Sequence, residues 1–239
     1  EDVHLTCRMG AAYTTGHGAA ATCLKHYAGY SFPLSGKDRT PAWIDERMMR
    51  EYFLPPFRAA RGARTVMVNS SEVNGIPGHA NRWLLTDVLK GEWGFDGFVV
   101  SDWEDIKRLH TRDRVAESPK EAVRLAVMAG IDMSMVPLDY SFYDLLLELA
   151  REGAVPLERI DDAVRRILTV KFELGLFQDP YPRPEFALKF ATPASTALNL
   201  RAAREAITLL KNERSVLPLT KGTKILVTGP TADLLSSLN

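Results

Sequence analysis

Four short apolar runs, each followed by amphipathic sequence, restrict this chain more than any other feature. The runs are ATCLKHY (21–27), RTVMVNS (64–70), DGFVVSD (96–102) and IDMSMVP (131–137). Helical patterns fall at WIDERMMREYFLPPFRAARG (43–62), ANRWLLTDVLKGEWG (80–94), SPKEAVRLAVMAG (118–130), SFYDLLLELAREG (141–153) and PLERIDDAVRRILTVKFELGLF (156–177). Strands that alternate with helices predict a parallel sheet. Continuous rather than alternating apolar runs predict a sheet covered on both faces. Local signals agree. Ser118 is placed to cap a helix with Pro119 at its first position, Glu121 completing a capping box and Gly130 closing it. Pro55 and Pro56 are expected to break the first helix. In the last, Leu157, Ile160, Val164 and Ile167 share one face.

Four strand–helix units are half of what a closed (β/α)8 barrel needs. Two folds satisfy that count: a small open sheet, or the second half of a barrel whose first half lies elsewhere. A helix-like start (1–21) with no strand before it favours the half-barrel over residues 1–177. A proline-rich stretch, 178–195, is expected to be a linker. Residues 196–239 then read as the start of a second α/β unit, with LRAAREAITLLKNE (200–213) as a helix and KILVTGP (224–230) as its first strand. The 30 basic and 30 acidic residues of the 239 cancel, which argues against a nucleic-acid or anionic-membrane surface. No apolar run is long enough to span a bilayer. Cys7 and Cys23 form neither a disulfide framework nor a metal spacing and are expected to be small buried residues.

In parallel α/β folds reactive groups gather at the carboxyl ends of strands. Those ends carry Lys25 and His26, then Asn69, Ser70 and Ser71, then Asp102 and Trp103, then Ser134. A cation, an imidazole, hydroxyls, a carboxylate and an indole suit a neutral polyhydroxylated ligand: the polar groups bond hydroxyls and Trp covers a sugar face. Glycosidases need one carboxylate at the anomeric carbon and a second carboxyl as acid/base. Asp102 fits the first role if Lys25 and His26 come to the same rim and hold it ionised. The plainer alternative is that Asp102 caps the next helix. Glu104 and Asp105 read as first-turn acids, and Trp83 as a core residue beside Leu84. His4, His17, His79 and His110 lack metal-ligand spacing. VTGPTA lacks the Gly-x-Gly of a phosphate loop.

Three separated stretches together resemble family 3 glycoside hydrolases. CLKHYAGYSFPLSGKDRT is similar to the family's Lys-His-Phe/Tyr-x-Gly segment. VMVNSSEVNGIPGHANRWLLTDVLKGEWGFDGFVVSDW is similar to the long stretch that ends in Ser-Asp-Trp. AAREAITLLKNERSVLPL is similar to the start of its second, α/β-sandwich domain. The resemblance implies a retaining, exo-acting β-glycosidase, foremost a β-glucosidase, with a β-xylosidase as the alternative. Asp102 would be its nucleophile, Lys25 and His26 ligands of the terminal sugar's hydroxyls, and Trp103 a wall of the subsite. Ser70 falls where many members carry Tyr or another group near the nucleophile. The family's acid/base Glu is expected beyond Asn239, and a sugar-binding Asp and Arg before Glu1. No cofactor and no metal are implied. The expected partners are a β-glycoside or oligosaccharide and the missing part of the enzyme or a second chain. The compartment stays open, with periplasm or secretion favoured over cytoplasm. Two other functions remain in play: a sugar-binding fragment without turnover, and an unrelated barrel hydrolase holding a metal on Asp102 and His26.

Overall fold

The computed structural model describes residues 2–229, 232 and 233. Its backbone forms two units, one up to Tyr181 and one from Pro182 onward. In the first unit a parallel sheet runs in the order β1 (Cys23–Tyr27), β2 (Thr65–Val68) and β5 (Phe98–Val100). Its register pairs Cys23 with Thr65, and Thr65 in turn with Phe98. A small antiparallel hairpin, β3 (Glu72–Val73) and β4 (Ile76–Pro77), sits between β2 and the next helix. Its turn is Asn74-Gly75, both at positive φ (54° and 79°), the conformation that Asn-Gly turns favour. Asn74 also anchors the hairpin: its side-chain amide both accepts from Ile44 N–H (2.8 Å) and donates to Ile44 C=O (2.6 Å).

The fourth expected strand, 131–137, is only a single bridge, Val100 to Met133. It nonetheless runs beside β5: Ser101 N–H donates to Met133 C=O, and Ser101 Oγ accepts from Met135 N–H. Pro55 and Pro56 do not break their helical run. Glu46–Met48 is α-helical, Met49–Phe53 widens into a π turn, and Leu54–Ala59 resumes as an α-helix. The prolines occupy the first turn of that last segment, where a missing N–H costs little. The π turn ahead of them shifts the carbonyls that a proline ring would strike.

Val66, Val68, Val99, Leu84, Leu85, Ile106, Leu109 and Ile131 form the centre of the core, all nearly inaccessible. Each such side chain contributes roughly 1.5–3 kcal/mol of burial. Tyr27 is buried with them; its hydroxyl donates to Leu84 C=O (3.1 Å) and Phe57 and Trp93 meet its ring edge-on. Trp83 packs only partly against this core, with the Arg50 guanidinium over its ring. Helix Pro119–Ala129 starts at Ser118, whose Oγ accepts from Glu121 N–H (3.1 Å). The Glu121 side chain does not complete a capping box; it pairs with Arg124 instead. Helix Leu157–Glu173 buries Ala163 and Val170, with Ile160 packed at the core, while Leu157 and Val164 stay exposed. An apolar count misjudged this face because Arg159 and Arg166 point inward, to buried carboxylates and carbonyls. Cys7 is half-buried and Cys23 exposed; Cys23 lies on the edge strand β1.

The second unit contains a 3-10 turn at Pro184–Lys189, helix Pro193–Ala206 and another 3-10 turn at Glu213–Ser215, none burying a residue. The helix begins earlier than expected, because Thr192 Oγ1 caps it at Ser195 N–H. Residues 224–229 of the expected strand carry no strand structure; at their end Gly229 C=O accepts from Ala232 N–H in a turn instead. Pro230 lies outside the described residues.

Candidate active site

β1, β2 and β5 are parallel, so their carboxyl ends emerge on one rim. The apolar Phe98–Val100 run ends in buried Ser101 and then Asp102. Asp102 Oδ2 lies 3.6 Å from His26 Nε2, with only 10% of the Asp102 side chain exposed against 26% of the histidine's. Its other oxygen, Oδ1, accepts from Trp103 N–H at 2.6 Å. His26 is backed by the Tyr30 ring, edge-on at 5.0 Å. Burial lowers the His26 pKa below the ordinary imidazole value; Asp102 partly restores it, and Lys25 and Arg39 lower it further. His26 therefore meets Asp102 as a neutral imidazole near neutral pH.

Beneath Asp102 lies a second, buried layer. His79 Nε2 accepts from the Asp102 backbone N–H at 3.0 Å. His79 Nδ1 is 3.8 Å from Asp105 Oδ2, and the Asp105 side chain is wholly inaccessible. Asp105 Oδ1 is held by Arg108, with Arg112 at 3.9 Å. Ser70 lies next to Asp105, yet neither Ser70 Oγ nor Asp105 Oδ2 completes a hydrogen bond. Burial pushes His79 down to about 3, outweighing Asp102 beside it. Burial pushes Asp105 up, against Ser70, Arg112 and Arg108. Gly78 makes this layer possible: a Cβ there would sit 2.3 Å from Asn69 C=O, so only glycine lets the 3-10 turn Gly78–Ala80 deliver His79 under the strand end.

The structure thus brings Asp102 and His26 together across β2. Asp102 does not cap the next helix. Helix Asp105–Thr111 has Glu104 at its cap position, in the left-handed region (φ 58°) and with no side-chain cap bond, while Asp102 turns to Trp103 N–H. Trp103 is half exposed on the rim, and Lys25 is exposed beside His26. Ser70 differs from expectation: it is fully buried, as are Asn69 and, nearly so, Ser71. Asn69 instead stitches the strand ends, donating to Ala28 C=O and accepting from Ser71, so these residues do not open onto the rim. Ser134 Oγ is also buried without a partner. Sequence reasoning missed His79; it placed Asp105 in the first turn of its helix, where it lies, but did not show its complete burial. The one signal for His79 was its place directly after a glycine in a turn that returns to a strand end. Among the described residues no cluster of three His, Cys, Asp or Glu side chains is arranged to hold a metal ion.

The family model of the glycosyl hydrolase family 3 N-terminal domain matches residues 1–170. The chain belongs to this family. The lysosomal beta glucosidase of Dictyostelium discoideum is 46% identical over the full chain, which spans 32% of that protein. The periplasmic beta-glucosidase of Salmonella typhimurium is 37% identical over 98% of the chain and 32% of its own length. Among solved structures, the β-glucosidase of Listeria innocua in complex with isofagomine superposes with a TM-score of 0.86 at 33% identity, covering 96% of this chain and 35% of that one. The chain thus spans about a third of each relative's length. These solved family members have a TIM-type barrel domain, and this chain likewise contains a parallel sheet. No helix among the described residues is long and apolar enough to cross a membrane.

Proposed function

We propose that this family 3 chain carries the nucleophile of a retaining β-glycosidase, a β-glucosidase releasing terminal non-reducing β-D-glucosyl residues. The observation that carries the reading is Asp102: a carboxylate at the carboxyl end of a parallel strand, narrowly open to solvent and flanked by His26 at 3.6 Å. One Asp102 oxygen bonds to the anomeric carbon as the glycosidic C–O bond breaks, and the departing oxygen takes a proton from a second carboxyl. Water then attacks the anomeric carbon, gives its proton to that second carboxyl and releases Asp102. Lys25 and His26 bond hydroxyls of the terminal sugar, and Trp103 offers it an apolar wall. The second carboxyl comes from a segment outside this chain.

The sugar is proposed from the relatives' names and from the isofagomine, gluconolactone and glucose bound by the Listeria enzyme. In this reading residues 1–177 are the second half of the barrel, 178–195 a linker and 196–239 the start of an α/β-sandwich domain. The remaining strands, from the rest of the enzyme or a second chain, complete the rim. A β-xylosidase is the second reading, because a putative beta-xylosidase and a beta-xylosidase of Formosa agariphila are 39% and 35% identical over 96% and 97% of the chain.

Proton NMR of the full-length protein acting on cello-oligosaccharides tests the reaction. The expected first product is the β anomer of glucose, cut from the non-reducing end; α-glucose appearing first would refute retention. Parallel rates on aryl β-glucosides and β-xylosides decide between the two sugars.

A further inference from the structure

His79 is only 2% exposed, so it lies beyond reach of a bound sugar. Its ring is nevertheless bonded to the backbone of the proposed nucleophile. Three successive amides set the course of the chain there. Asp102 N–H goes to His79 Nε2, Trp103 N–H to Asp102 Oδ1 and Glu104 N–H to Met135 C=O. Only the first of these depends on a side chain from another element. A neutral imidazole has one donor and one acceptor nitrogen. With Nε2 accepting, the proton sits on Nδ1, and the atom facing Nδ1 is Asp105 Oδ2, the oxygen that Arg108 and Arg112 leave unpaired. A protonated ring would set an Nε2–H against the Asp102 N–H, so the arrangement works only with His79 neutral. The charged and titratable groups around the ring are Asp102, Asp105, Asp113, Arg108 and Arg112.

We infer that His79 is a positioning residue for Asp102, with Asp105 selecting its Nδ1–H tautomer and its Nε2 pinning the Asp102 amide so that the carboxylate faces His26 and the rim. The inference rests on Asp102 being the nucleophile. Without an acceptor at position 79 the Asp102 N–H is buried and unpaired, and its own carboxylate becomes the nearest acceptor. That rotation withdraws the attacking oxygen, and misplacement by about 1 Å costs on the order of 10²-fold in rate.

The test is made in the full-length protein, with a 2-deoxy-2-fluoro-β-glucosyl fluoride that labels the nucleophile. The rate of labelling and the dissociation constant for glucose are measured for the parent, His79→Leu and His79→Gln. His79→Leu is expected to label roughly 10²-fold more slowly, with glucose binding within about threefold. His79→Gln, whose amide oxygen replaces Nε2, should regain most of the rate. Labelling of His79→Leu within about threefold of the parent overturns the inference, and so does a His79→Gln variant as slow as His79→Leu. Nitrogen-15 NMR of the unmodified parent serves if His79→Leu does not fold. A protonated Nδ1 and an unprotonated, hydrogen-bonded Nε2 at pH 7 are expected; the opposite tautomer overturns the inference. A label found on a carboxylate other than Asp102 refutes the functional reading instead, which the NMR result does not touch.

Discussion

The two ends of β5 are built on opposite plans. Near its amino end the Asp132 side chain is inaccessible and saturated. Its Oδ1 takes Lys90 (2.7 Å) and Arg159 (2.6 Å), and its Oδ2 takes Val99 N–H (2.8 Å). Arg159 and Arg166 spend their remaining donors on Asp162 and on the carbonyls of Val127, Ile131, Phe95 and Gly97. At the carboxyl end, Asp102 has a 3.6 Å contact in place of a tight pair, and Ser70, Ser134 and Asp105 hold polar atoms with no partner. Buried polar groups are normally satisfied. The Asp132 site is therefore tightly paired, although Arg64 Nε near the same end is buried without a partner, and the other end holds Asp102 loosely above buried, unpaired atoms, on the side where barrel enzymes bind their ligands.

Exchanging one carboxylate at each end separates these plans. Asp102→Asn in the full-length protein should lower hydrolysis of an aryl β-glucoside by about 10⁴-fold or more while the melting temperature stays close to the parent's. Asp132→Asn should do the reverse. It strands Lys90 and Arg159 beside a neutral group and is expected to cost about 3–5 kcal/mol in urea unfolding, with kcat of the folded fraction nearly unchanged. Loss of activity from both variants at equal stability would erase the distinction.

The titration of each end sharpens it. His79 has a folded pKa of about 3 against 6.5 for a free imidazole. Between those values the unfolded chain binds the extra proton, so stability falls as pH drops from 6.5 toward 3, by up to ~1.4 kcal/mol per pH unit. His79→Gln should flatten that part of the unfolding curve. Lys90 is lowered to about 8 from 10.5, chiefly by burial. Here too the unfolded chain binds more protons between the two values, so the amino end adds stability as pH rises from about 8 to 10.5. Lys90→Met should remove that rise. The smallest effect lies at neither end: Ser118→Ala removes a helix cap and should cost about 1 kcal/mol without altering activity.

The stretch GFDGFVVSDWEDI made β5 and its terminal carboxylate legible from sequence, because a short apolar run ending in Asp signals a buried strand reaching a rim. The juxtaposition of His26 with Asp102 was legible only as a condition, that the strands carrying them reach the same rim. The buried layer was not legible. His79 and Asp105 are polar residues 26 positions apart, and nothing in their spacing shows that a glycine turn folds one beneath the other. The inward arginines of helix Leu157–Glu173 were hidden for a similar reason: apolar periodicity does not register a charged residue that finds its partners inside. Asn69, Ser70 and Ser71 look like rim residues by position, but they are buried, with Gly78 lying against the Asn69 and Ser71 carbonyls.

The central claim is that Asp102 is the group that attacks the sugar. Trapping the full-length protein with a 2-deoxy-2-fluoro-β-glucosyl fluoride, followed by peptide mass mapping, tests it most directly. A fluoroglucosyl ester on Asp102 is the expected result, and an ester on any other carboxylate would contradict it.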